Sequence, residues 1–277
     1  MTRAHDRELE RPLRVAIAGL GAIGLAVAEA LDRGIAGCEF VAVSANNRPR
    51  AAERMAQFRR QVPIVAIEDL EPLADMVIEC APAEVFRAIA EPFLANGKLV
   101  VALSAGAILS NEDLIETARR HGGQIMVPTG ALIGLDAVTA AAVGTIHSVT
   151  MITRKPVRGL LGAPYLAANG IDIESIVAPL CVFKGTAREA AIGFPANLNV
   201  AVALSLAGIG PDATTVEIWA DPDLQRNTHR IEVESDSANF TMSIENIPSE
   251  NPKTGRITAQ AVIALLTKLR APLRIGT

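Results

Sequence analysis

The apolar run over residues 13–18 meets Gly19-Leu20-Gly21-Ala22-Ile23-Gly24, and residues 22–33 then read as a helix. Three glycines at this spacing between a strand and a helix constrain the backbone more tightly than any other segment. The first permits a tight turn, the second leaves room for a pyrophosphate to approach the backbone, and the third lets the helix pack closely on the strand. The amides that open the helix supply donors to phosphate oxygens. Glycine spacing alone is a weak signal, and a purely structural turn is the alternative. In its strand-turn-helix setting the segment predicts a dinucleotide site built from Gly19, Gly21, Ala22, Ile23 and Gly24.

The alternation continues with strands over 39–44, 75–79, 98–103 and 124–128 and helices over 49–60, 83–94 and 111–121. Pro49 suits a first helical turn, where its missing amide hydrogen would be unpaired anyway. Gly97 and Gly122-Gly123 fall where helices stop. Half of the 277 residues are hydrophobic and only 3% are aromatic, so Ala, Val, Ile and Leu must build the core. That mixture suits buried parallel strands covered by helices on both faces, a Rossmann-like α/β arrangement.

The rhythm changes after Gly130. A helix over 135–143 leads to a strand over 148–153 and then to an irregular loop holding Pro156, Gly159, Gly162 and Pro164. Runs over 214–220 and 227–235, joined through the acidic turn at Asp221 to Asp223, and a third over 239–247 read as antiparallel strands of a second, mixed α/β domain. A last helix spans 258–269. The expected division is a dinucleotide-binding domain over 1–130, with 251–277 packing back on it, and a substrate and catalytic domain over 131–250.

A formal charge of −4 without a long Lys/Arg cluster gives no reason to expect a nucleic-acid partner. The polar start lacks a signal-peptide pattern, and no apolar run approaches the roughly 18 residues that span a bilayer, so a cytoplasmic protein without membrane association is expected. Cys38, Cys80 and Cys181 are widely spaced in apolar surroundings and read as buried thiols. His5, His121, His147 and His229 show no paired ligand spacing, so no metal site is expected.

Two further segments carry ligand chemistry. An NAD site usually places Asp or Glu after the second strand to accept from the ribose hydroxyls, yet this chain reads Ser44-Ala45-Asn46-Asn47-Arg48. Asn46 suits a ribose hydroxyl, and Arg48 suits the extra phosphate of NADP or is a solvated residue at a helix start. Either NAD or NADP is therefore the expected cofactor. Ser104 and Ala105, just beyond the strand over 98–103, leave room for a ligand at the sheet's carboxyl edge or form a crowded turn. His229 taken alone fits proton transfer near neutral pH or a structural role.

Several separated segments carry a family resemblance. Thr129-Gly130-Ala131-Leu132-Ile133-Gly134-Leu135-Asp136, Arg154-Lys155-Pro156, Phe194-Pro195-Ala196-Asn197-Leu198-Asn199-Val200-Ala201, Asn227-Thr228-His229 and Asn251-Pro252-Lys253-Thr254 occur in the order seen in the L-aspartate dehydrogenase family, which the chain resembles from Leu13 to Arg270. The resemblance implies oxidation of L-aspartate with NAD or NADP to iminoaspartate, which hydrolyses to oxaloacetate and ammonia or feeds NAD biosynthesis, in a homodimer. It implies that His229 is the active-site histidine and that Asn199 binds cofactor near the nicotinamide. Ile133 stands at a cofactor-contact position usually held by alanine, and Thr129 where serine is common. For a dicarboxylate substrate, Lys155, Asn197, Lys253, Thr254 and His229 are the expected binding residues. A dehydrogenase of another small carboxylate and a noncatalytic dinucleotide sensor are the alternatives.

Overall fold

The structure is a computed structural model describing residues 11–195, 198–248 and 255–276. The chain forms two compact units, one from residues up to 128 together with 259–275, the other from 129–258.

The first unit is built on a six-stranded parallel sheet of order β3-β2-β1-β4-β5-β6. Its strands are β1 (Leu13–Ala18), β2 (Cys38–Ser44), β3 (Ile64–Val65), β4 (Met76–Glu79), β5 (Leu99–Ala102) and β6 (Gln124–Met126). β1 shows why the sheet must be covered twice. Val15 and Ile17 enter one core with Val27 and Leu31 of the helix Ala22–Arg33 and with Val262 and Leu266 of the helix Arg256–Arg270. Ala16 and Ala18 enter the other, against Phe86, Ile89 and Phe93 of the helix Phe86–Ala95. Strand residues alternate between faces, so a continuous apolar run buries both. The alanines on the second face leave depth for the two phenylalanine rings.

Several boundaries move. The helix expected over 49–60 runs only Arg48–Met55, because the amides of Arg59 and Arg60 turn away to donate to the Asp32 carboxylate at 3.0 and 2.9 Å. β3 and the five-residue helix Ala105–Leu109 were not anticipated.

The second unit carries a five-stranded mixed sheet of order β11-β10-β7-β9-β8. Its strands are β7 (Ile146–Pro156), β8 (Leu180–Thr186), β9 (Thr215–Asp221), β10 (Thr228–Ser235) and β11 (Phe240–Glu245). β9 and β10, adjacent in sequence, do not pair. β7 lies between them, parallel to β9 and antiparallel to β10. The burial of β7 alternates, with Val149, Met151, Thr153 and Lys155 inward, and β10 matches it with His229, Ile231 and Val233. Helices Leu135–Ala141, Pro164–Ala168, Ala187–Gly193 and Asn199–Ala207 complete the unit. A Cβ on Gly208, just past the last of these, would come within 3.2 Å of Val138 and 3.5 Å of Val149, so a side chain there would crowd both. Tyr165, Phe183 and Phe194 form one aromatic cluster with centroids 5.1 to 5.7 Å apart. Among the described residues, no helix is long and apolar enough to cross a membrane.

Candidate active site

In the first unit, Ala18, Ser44, Glu79 and Ala102 stand level as register partners at the carboxyl ends of β1, β2, β4 and β5. Open parallel sheets bind ligands at this edge, where strand order reverses. A cleft of about 450 Å³ lies there, lined by Gly19, Gly21, Asn46, Arg50, Ala81 and their neighbours.

Each glycine of the loop has its own steric reason. Gly19 has φ +98° and lies so close to β4 that a Cβ would sit 2.5 Å from the Cys80 carbonyl oxygen. A Cβ on Gly24 would collide with the Gly19 carbonyl oxygen, whereas a Cβ on Gly21 would meet nothing within 4 Å. Gly19 and Gly24 permit the fold of the loop, and Gly21 keeps open the space beside it. The first intrahelical bond runs from Leu25 N to Gly21 O at 2.9 Å, which leaves the preceding amides of Ala22, Ile23 and Gly24 as the helix's free N-terminal donors. An open glycine, a helix N-terminus and a cleft at the switch in strand order fit a dinucleotide pyrophosphate.

The end of β2 has no carboxylate. Asn46 lines the cleft, and Asn47 caps the following helix by accepting from Arg50 N at 3.0 Å. Arg50 and Arg54 line the cleft and Arg48 does not. Arg54 donates to the Leu20 carbonyl at 2.5 Å, tying this helix to the glycine loop. The sequence reading passed over both arginines, because only the helical rotation from Asn47 decides which of Arg48, Arg50 and Arg54 faces the cleft.

Ser104 and Ala105 are 9% and 1% exposed and do not line the cleft. Ser104 serves Glu79, a fully buried carboxylate that the sequence reading also missed. One Glu79 oxygen accepts from Ala81 N (3.1 Å) and Ser104 Oγ (3.0 Å), and the other from Leu103 N (3.2 Å) and Ser104 N (2.8 Å). Burial raises the Glu79 pKa, and these hydrogen bonds oppose the rise.

In the second unit, antiparallel pairing sets His229 opposite Thr153, and Lys155 follows two residues along β7 on the same face. Thr153 Oγ1 and His229 Nδ1 are 2.9 Å apart, which fixes the ring. His229 is 4% exposed and Lys155 2% exposed. Burial, and secondly the charge of Lys155, lower the His229 pKa to about 3, and burial lowers that of Lys155 to about 8. Desolvation disfavours the imidazolium, so burial favours the neutral ring.

Ile133 is half-buried in the loop before the helix Leu135–Ala141, and Asn246 holds that loop by donating to the Ala131 carbonyl at 2.9 Å. Asn199 is the first residue of its helix. Asn197, Lys253 and Thr254 lie outside the described residues.

The model of a family described as aspartate dehydrogenase, C-terminal, matches residues 136–269, and that of the homoserine dehydrogenase NAD binding domain matches residues 19–128. A protein of Bradyrhizobium diazoefficiens named L-aspartate dehydrogenase is 59% identical over 272 residues, covering 98% of this chain and 97% of its own. This chain belongs to the L-aspartate dehydrogenase family. A member from Methanosarcina barkeri is 38% identical, covering 96% of this chain and all of its own. The crystal structure of aspartate dehydrogenase from Thermotoga maritima superposes with a TM-score of 0.71 at 23% identity, over 95% of this chain and 99% of that one. Its likeness shows that the Rossmann-like sheet followed by a mixed sheet is the fold of this family.

Proposed function

We propose that this chain oxidises L-aspartate to iminoaspartate with NAD or NADP, the imine then hydrolysing to oxaloacetate and ammonia or feeding NAD biosynthesis. The observation that carries this reading is the end-to-end likeness to proteins named L-aspartate dehydrogenase, which includes the strand bearing His229.

The bound dinucleotide supplies a nicotinamide ring that accepts the hydride. This chain's residues do the rest. The amides at the start of the helix Ala22–Arg33 hold the pyrophosphate, and Asn46 holds a ribose hydroxyl. Arg50, which reaches the cleft wall where Arg48 does not, takes the role of neutralising an NADP phosphate. Glu79 holds the Ala81 and Ser104 segments in place, and Ser104 and Ala105 let the cofactor approach that edge. Ile133 and Asn199 complete the cofactor contacts. Lys155, His229, Asn197, Lys253 and Thr254 receive the dicarboxylate, for which cationic and neutral donors are the matching chemistry. The working form is a homodimer, which sedimentation would check.

The test is a matrix of NAD and NADP against L-aspartate, other small amino acids, and oxaloacetate with ammonia. Aspartate-dependent reduction of either dinucleotide is expected, and Arg50→Ala is expected to weaken NADP more than NAD. Cofactor binding without turnover of any substrate points instead to a sensor, and preference for another acid to a relative of different specificity.

A further inference from the structure

We propose that Lys155 is the base that removes the proton from the substrate's α-ammonium, while His229 acts beside it as a neutral, hydrogen-bonding ring. The proposal rests on the aspartate-oxidising reading and names the residue that moves its proton.

The register makes the pair. Thr153 and His229 are cross-strand partners, and residues directly opposite in an antiparallel ladder share a face. Lys155, two residues beyond Thr153, lies on that face too, where the strands turn from the apolar set Val149, Met151, Ile231 and Val233 to a polar one. An ammonium and an imidazolium side by side out of water would repel strongly, because screening is weak there. Only one of the two can hold a proton at neutral pH. The charge of Lys155 reaches the ring and lowers its pKa, whereas the ring, neutral throughout the range in which Lys155 titrates, leaves the lysine governed by burial.

On β9 the neighbour of Lys155 is Ala220, and the adjacent Asp221 is engaged by Arg154 at 3.8 Å and by the Asp223 amide at 3.0 Å. Arg154 itself lies over the Trp219 ring, 5.3 Å from its centroid. His229 on β10 is a titratable group that shares this face and feels the charge of Lys155.

The chemistry fits a lysine better than this histidine. Oxidation at Cα requires a neutral amine, because its lone pair becomes the second bond of the imine. The Lys155 Nζ lone pair takes one proton from the substrate ammonium. The hydrogen on Cα then leaves with both bonding electrons to the oxidised dinucleotide as the C=N bond forms, and the lysine ammonium gives its proton to water. A base with a pKa of about 8 is half-ionised under ordinary working conditions, the optimum for proton transfer, whereas a group with a pKa of about 3 is a very weak base. Buried lysines shift readily into this role. Thr153 keeps the histidine ring oriented, and its Nε2 is the remaining polar atom for the substrate.

The test follows kcat/KM for L-aspartate oxidation against pH in the wild type, Lys155→Met and His229→Asn, with dinucleotide affinity measured alongside. The wild type should lose activity below a limb near pH 8. Lys155→Met should remove that limb, lower turnover by roughly 100-fold to 10,000-fold with dinucleotide affinity unchanged, and regain activity when small primary amines are added. His229→Asn should raise KM and keep the limb. A limb that survives in Lys155→Met, or one that disappears in His229→Asn, overturns the proposal. Should the lysine variant not fold, carbon-13 NMR of wild-type histidines decides, since a His229 ring that titrates between about pH 5 and pH 8 also overturns it. A wild type that turns over another substrate but not aspartate refutes the functional reading instead, and the NMR titration separates the two failures.

Discussion

A methyl group on Gly21 meets nothing, whereas one on Gly24 meets the Gly19 carbonyl, and this difference separates ligand space from folding space at one loop. Gly21→Ala should leave thermal stability within about 0.5 kcal/mol of the parent, as exposed substitutions usually do, while weakening dinucleotide binding at least tenfold. Gly24→Ala should lower stability by about 1 to 3 kcal/mol, because the helix must move off its strand. Calorimetry and cofactor titration of the two variants check both, and equal stability losses would show that Gly21 too is only structural. The loop was legible from sequence because its reasons are local to six residues. Thr153 was not, because 76 residues separate it from His229 and only the β7–β10 register brings them together. Glu79 escaped notice for a related cause. A glutamate ending an apolar strand looks solvated until the β4–β5 pairing places the Leu103 and Ser104 amides around it.

At the scale of elements, the β1 strand and the helix Ala22–Arg33 follow the sequence reading residue for residue, since apolar run, glycine turn and helical stretch agree. The strand Leu180–Thr186 and the helices Ala187–Gly193 and Asn199–Ala207 carry no clear periodic signal in the sequence. Asn199–Ala207 is apolar on nearly every side, so it lacks the polar face that marks a helix from sequence. Gly185 and the short turn into the Thr186 capping box hide the strand-to-helix change just before it. The packing of the helix Phe86–Ala95 gives the clearest energetic prediction. Phe86 is fully buried in a core to which the sheet contributes Ala16, Ala18 and Ala102, so removing its ring leaves a cavity. Phe86→Ala should therefore cost about 3 to 5 kcal/mol in chemical denaturation, and a loss below about 1 kcal/mol would mean that the alanine layer collapses into the cavity.

For the molecule as a whole, the buried His229 ties acid stability to the same sheet face that carries the proposed chemistry. Its pKa falls from an ordinary 6.5 to about 3 on folding, through burial first and the charge of Lys155 second. Between those values the unfolded chain binds a proton that the folded protein rejects, so stability rises with pH. This contribution is complete above pH 6.5 and is lost progressively as the pH falls toward 3. Glu79 works the other way, because burial raises its pKa and the folded state takes up its proton first, so its contribution declines as the pH rises. Comparing the wild type with His229→Asn cancels Glu79 and isolates the ring. At roughly pH 4.5, two units below the free histidine value, the wild type should have lost about 2 to 3 kcal/mol more than the variant, each measured against its own stability near neutrality. Urea denaturation from about pH 4.5 to pH 8 makes the measurement. Parallel stability curves would mean that the ring accepts a proton inside the fold, through opening of the sheet face or relaxation of Lys155. A converging pair would fix His229 as a neutral group throughout the range in which the protein works.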